Sequence, residues 1–112
     1  MADLSALDSR FRPWAEALYS VARQYGLNPV VTSTKRSLAT QRRLYRRWQS
    51  GQSPYPAAVP GTSLHEHGLA FDMWADDMAW LGKVWEYWGG VWGGPTDPVH
   101  YQPFPYRAPV GR

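Results

Sequence analysis

All three histidines of this 112-residue chain fall in two short stretches, and both stretches also carry acids. The first is Ser63-Leu64-His65-Glu66-His67-Gly68-Leu69-Ala70-Phe71-Asp72, and the second is Asp97-Pro98-Val99-His100-Tyr101-Gln102. A catalytic zinc ion takes three protein ligands, from imidazole nitrogen and carboxylate oxygen, and keeps one position open. His65, Asp72 and His100 supply two imidazoles and one carboxylate. Gly68, between the first two, permits a tight turn that brings the chain back towards His65. On an extended segment Asp72 shares a face with Ala70, while Leu69, Phe71 and Met73 face the other way. Asp72 is then aimed at a site and the opposite face at a core.

Hydrolysis on a metal centre also needs a base that takes a proton from water. Asp97 precedes His100 by three residues and is one candidate. Glu66, next to His65, is the other. Neighbours on an extended segment point in opposite directions, which weakens Glu66. His67 is expected near the site or in solvent without serving as a ligand.

The remaining sequence reads as helices mixed with short strands. Leu4, Leu7, Phe11, Trp14, Leu18, Val21 and Tyr25 follow the spacing of one helix face, interrupted by Pro13. That predicts a kink, or two helices with Pro13 in a first turn. Gly26 and Asn28-Pro29 end the segment. Val30 to Thr34 reads as a strand, and Ser37 as the N-cap of a second helix. Leu38, Leu44, Tyr45 and Trp48 give that helix an apolar face, opposite Arg42, Arg43, Arg46 and Arg47. Residues 51–62 form a Pro- and Gly-punctuated loop. Leu69 to Trp74 reads as a strand, and Asp76 or Asp77 caps a third helix with Trp80, Leu81, Val84, Trp85 and Trp88 on its apolar side. Trp74 and Trp92 are expected near the groove. Val99 to Gln102 forms a last strand, and an extended tail carries prolines from Pro103. The absence of a βαβ rhythm makes the class α+β, with a short, mostly antiparallel sheet and about three helices. One domain over residues 1–112 is expected, with a core at about 4–104 and a Pro-rich tail at 103–112.

The chain has no cysteine, which excludes disulfides and thiolate metal sites. Net charge is +3, a mild excess that favours anionic surfaces without naming one. Specific nucleic-acid binding is not expected, because Tyr45 and Trp48, the aromatics beside the arginines, turn to the apolar face. No segment has the apolar length of a membrane helix. Residues 1–20 show no signal-peptide pattern, so synthesis in the cytoplasm is expected. A monomer is the expected state.

Ser63, His65, Gly68, Ala70 and Asp72 match the pattern S-x-H-x-x-G-x-A-x-D. Ser33 to Ser37 with Gln41 is similar to an S-x-x-R-S-x-x-x-Q segment, and Trp88-Gly89-Gly90 and Asp97 to Gln102 to closing G-G and D-x-x-H-aromatic-Q elements. In this order they resemble the D-alanyl-D-alanine carboxypeptidase / L-alanyl-D-glutamate endopeptidase group of zinc peptidases (the LAS metallopeptidases), which shares a fold core with hedgehog domains. The resemblance implies a zinc ion on His65, Asp72 and His100. It implies Asp97 as catalytic base and then acid, and Arg36 as a catalytic and substrate-binding group for a carboxylate or an oxyanion. Ser63 and Gln41 become supporting substrate contacts. The substrate it implies is bacterial peptidoglycan. An Asp three residues before the last His is similar to the endopeptidase branch, which includes phage endolysins. An L-alanyl-D-glutamate endopeptidase acting on the wall, released by phage-type lysis, is therefore the first expectation. A D-alanyl-D-alanine carboxypeptidase or dipeptidase is the second, and a peptidoglycan-binding module without turnover the third.

Overall fold

The computed structural model describes residues 2–110. A short 3-10 turn at Leu4–Ala6 precedes helix α1, Arg12–Gln24. Pro13 sits in the first turn of α1, where a missing N–H costs nothing, so the early apolar pattern splits into two helical pieces. Asn28 and Gly26 adopt positive φ at 52° and 70° and turn the chain into strand β1, Val30–Ser33. Helix α2, Leu38–Gln49, starts where the Ser37 hydroxyl accepts from the Thr40 N–H. Strand β2 is Phe71–Trp74, and helix α3 is Met78–Tyr87 with Asp77 as its cap. Strands β3, Val91–Trp92, and β4, His100–Gln102, follow. The four strands form one antiparallel sheet in the order β1-β2-β4-β3. The fold is α+β, as the sequence predicts.

The core lies between one face of this sheet and helices α1 and α3. Phe71 is fully buried at its centre. It stacks on Tyr101 at 5.1 Å between ring centroids and meets Trp85 edge-on at 5.8 Å and Phe11 at 5.9 Å. Ala15, Leu18 and Ala22 of α1, with Met73 and Leu81, complete the packing. Each large apolar side chain so buried contributes about 1.5–3 kcal/mol. Because strand side chains alternate, Phe71 and Met73 commit one face of β2 to this core and leave Asp72 on the other.

Three local expectations change. Helix α2 does not turn an apolar face into the core. Gln41 is its one fully buried residue, and Leu38 is exposed. Trp48 instead donates its indole N–H to the Val110 carbonyl at 3.2 Å, because the chain beyond β4 runs back along this helix. Trp80 is exposed and packs on the exposed Tyr25, while Trp85 is the α3 tryptophan that reaches the core. Trp74 is also exposed and lies away from the groove.

Candidate metal centre and active site

His65 stands on a 3-10 turn, Leu64–His67, where an extended segment was expected. Ser63 caps the turn: its hydroxyl accepts from the His65 N–H at 3.2 Å. Gly68 closes it at φ +69°, where a Cβ would meet the Asp8 nitrogen at 2.8 Å, so a side chain there is excluded both by conformation and by space. The turn is tied to the end of β1, since the Arg36 N–H donates to the His65 carbonyl at 2.9 Å. The buried His65 ring has its Nδ1 2.9 Å from the Thr34 carbonyl oxygen. A carbonyl can only accept, so Nδ1 carries the hydrogen and Nε2 is left facing inward.

Asp72 and His100 are direct cross-strand partners on β2 and β4. Asp72 Oδ1 lies 3.2 Å from His65 Nε2 and 3.3 Å from His100 Nδ1. Among the described residues these three side chains form a cluster able to hold a metal ion, their ligand atoms all within 4.8 Å of one another. Asp72 Oδ1 is buried without a hydrogen-bonding partner among the described residues. With His65 bonded through Nδ1, an orphaned oxygen faces a ring nitrogen lone pair, an arrangement that calls for a proton or a cation between them. Two imidazoles and one carboxylate suit zinc, and ligand atoms of a tetrahedral zinc ion are about 3.3 Å apart. The residues fit the ion.

Burial pushes the Asp72 carboxyl up, yet His100 and His65 outweigh it and hold it well below the usual carboxylate range. Burial pushes His100 down, but the adjacent Asp72 carboxylate and the contact with Gln102 carry it above the ordinary imidazole value.

The other oxygen of Asp72, Oδ2, accepts from Arg36 Nη2 at 3.2 Å. Arg36 Nε donates to Ser33 Oγ at 3.1 Å, and Nη1 to Gln41 Oε1 at 3.4 Å. Gln41 in turn donates to the Ala58 carbonyl at 3.0 Å. Arg36 therefore braces the carboxylate and is itself one of the residues lining the groove.

Asp97 sits in the turn before β4 and borders the same groove. Trp92 staples this turn by donating its indole N–H to the Pro98 carbonyl at 2.8 Å. Gly93 is required beneath it, since a Cβ there would collide with the Asp97 carbonyl oxygen. The Asp97 carboxylate has no hydrogen bond or ion pair among the described residues. Loss of surrounding water raises its pKa, His100 pulls it down, and the charge of Asp72 pushes it up again, leaving it above the usual range. Glu66 is committed elsewhere: its carboxylate accepts from the Gly61 N–H at 2.7 Å. His67 is exposed and lies outside the groove.

The groove brings together Arg36, Gln41, Ser63, His65, Asp72, Asp97 and His100, which are all the site residues expected from the sequence. Its walls include residues that the sequence did not single out: Leu44 and Arg47 of α2, the 52–58 loop, and Pro105, Tyr106 and Arg107 of the tail. A smaller cleft of about 100 Å³ between Phe11, Trp14, Trp85, Trp88 and Pro103 has no ionisable lining, so the chemistry belongs to the groove. Gln102 also went without a role, although its spacing from His100 on one strand placed it on the site face.

A family model described as VanY, D-alanyl-D-alanine carboxypeptidase, matches residues 5–87, and the chain belongs to this family. The matched span holds Arg36, Gln41, Ser63, His65 and Asp72, whereas Asp97 and His100 lie beyond it. A D-alanyl-D-alanine carboxypeptidase of Enterococcus faecalis (strain ATCC 700802 / V583) is 32% identical over 95 residues, covering 73% of this chain. The chain spans 35% of that relative's length.

Among solved structures, VanYB in complex with D-alanine-D-alanine is similar at a TM-score of 0.71 and 25% identity, over 88% of this chain and 72% of that one. A zinc-bound form of the vancomycin resistance D,D-pentapeptidase VanY from a VanB-type cassette gives 0.68 and 24%, over 88% and 73%. The L-Ala D-Glu endopeptidase ChiX of Serratia marcescens shares the fold at 0.55 and 21%, over 88% and 81%.

Proposed function

We propose that this protein is a zinc-dependent peptidoglycan peptidase that removes the terminal D-alanine from cell-wall stem peptides. The observation that carries this reading is the His65–Asp72–His100 cluster, set in a groove of a VanY-family fold. The VanY structure that holds zinc and the VanYB structure that holds D-alanine-D-alanine support both the ion and the substrate.

A zinc ion held by His65 Nε2, Asp72 Oδ1 and His100 Nδ1 would polarise the scissile carbonyl and acidify a water molecule. Asp97 takes the proton from the attacking water and delivers it to the departing amine. Its carboxylate suits this work because none of the described residues occupies it, and because a base with a raised pKa holds a proton more firmly. Arg36 fixes Asp72 through Oδ2, which leaves Oδ1 as the ligand atom. Its positive charge in the groove wall attracts a substrate carboxylate, the group that a peptide ending in D-alanine presents. Gln41 holds the guanidinium plane, and Ser63 holds His65 at the groove floor. The protein would act at the cell wall, outside the cytoplasmic membrane.

The sequence placed an L-alanyl-D-glutamate endopeptidase first. The comparisons favour the carboxypeptidase, since the family model and the curated relative both carry that description. Asp97 in the base position and the fold shared with ChiX keep the endopeptidase as a second reading. Digestion of purified peptidoglycan by the zinc-loaded protein, read by mass spectrometry, separates them. Free D-alanine supports the first reading, and new D-glutamate amino termini support the second. Neither product, from protein with zinc bound, overturns both.

A further inference from the structure

The amide of Gln102 is fully engaged. Its Nε2 donates to the Phe104 carbonyl at 2.8 Å and to the Tyr106 carbonyl at 3.1 Å. Its Oε1 lies 2.7 Å from Nε2 of His100. Turning the amide over would aim its oxygen at two carbonyl oxygens, so the chemistry of the partners fixes its orientation. An amide oxygen can only accept. His100 Nε2 therefore carries a hydrogen, and Nδ1 is the nitrogen left to face Asp72.

We propose that Gln102 is a positioning residue for the metal centre and that the tail segment 104–106 sets it. Two tail carbonyls orient the amide, the amide selects the His100 tautomer, and that tautomer presents Nδ1 to the ion. This rests on the reading of His65, Asp72 and His100 as metal ligands.

The two histidines are held in different ways. His65 is oriented by a main-chain carbonyl, Thr34, at the end of a paired strand. His100 is oriented by a side chain whose own direction depends on a segment without helix or strand. That segment is anchored in turn by the Tyr106 hydroxyl, which donates to the Thr62 carbonyl at 2.7 Å. Thr62 adjoins Ser63, the cap of the turn that carries His65. The tail thus bridges the two metal-binding segments, and its seating reaches the ion through His100. Gln102 is itself buried, so water does not substitute for either set of partners.

The test uses the full chain, stripped of metal and titrated with zinc against a chromogenic chelator, with the absorption spectrum of the cobalt-loaded form as second readout. Gln102→Met removes the acceptor and should weaken zinc binding by about 10–100-fold and shift the cobalt bands. Gln102→Glu keeps an acceptor for Nε2–H but loses both donations to the tail carbonyls, so it should bind zinc more weakly than wild type yet more tightly than Gln102→Met, a ranking that general damage to packing, worse for a buried charge than for Met, would not produce. Tyr106→Phe frees the tail and should weaken binding less than Gln102→Met, with no added loss in the double variant. Wild-type affinity and an unchanged cobalt spectrum in Gln102→Met would overturn the proposal. If that variant does not fold, Tyr106→Phe decides: unchanged affinity and spectrum there overturn it. Failure of the wild type to bind zinc would sink the metal-centre reading itself, a distinguishable result.

Discussion

Asp72 Oδ1 and His100 Nδ1 face each other at 3.3 Å across strands β2 and β4. A proton on His100 Nδ1 would bridge this pair where no cation does, so proton and zinc compete for one place. His100 has a raised folded pKa, so its contribution to stability is present below about pH 6.5 and is lost as pH rises through the raised value. Asp72 has a lowered folded pKa, so its contribution is present above about pH 4 and is lost as pH falls through the lowered value. The metal-free protein thus gains most from this pair between those limits. Zinc should raise the melting temperature more at pH 8 than at pH 5.5, because fewer protons must be displaced. Equal shifts at the two pH values would contradict the shared site.

Asp97→Asn keeps the size of the side chain and removes the base. It should lower kcat by about 10²–10⁴-fold while leaving zinc content and melting temperature near wild type. The carboxylate has no hydrogen-bonding partner to lose among the described residues, which separates this outcome from a folding defect. Activity within a fewfold of wild type would move the base elsewhere.

Gly68→Ala should be damaging well beyond one methyl group. The residue adopts φ +69°, and its Cβ would meet the Asp8 nitrogen at 2.8 Å. A cost of about 1–3 kcal/mol is expected, read by denaturant unfolding, together with weaker zinc binding as the turn bearing His65 shifts. A variant with wild-type stability and affinity would show that the turn does not position His65.

The cluster of His65, Asp72 and His100 was legible because its signal is local: an unusual density of histidine and acid, followed by strand alternation that places Asp72 opposite Phe71 and Met73. The split at Pro13, the Ser37 cap and the α+β class followed from equally local chemistry. The turn at Leu64–His67 was not legible, because four residues are too few to show a helical period. Its consequence was small, since Glu66 is removed from the site by its bonds to Gly61 and not by strand alternation. Helix α2 is more instructive. Its amphipathic spacing was visible, but what covers that face is the tail, through Trp48 and Val110, and such a long-range pairing leaves no trace in periodicity. The same holds for Trp80: spacing put it on the apolar side of α3, yet it ends at the rim against Tyr25. The groove walls from residues 105–107 escaped notice for this reason too.

The most direct test of the metal centre is an anomalous difference map at the zinc edge from crystals of the zinc-loaded protein. One strong peak is predicted, about 2.0–2.2 Å from His65 Nε2, Asp72 Oδ1 and His100 Nδ1. No peak at these three atoms, or zinc bound at other residues, would contradict the account.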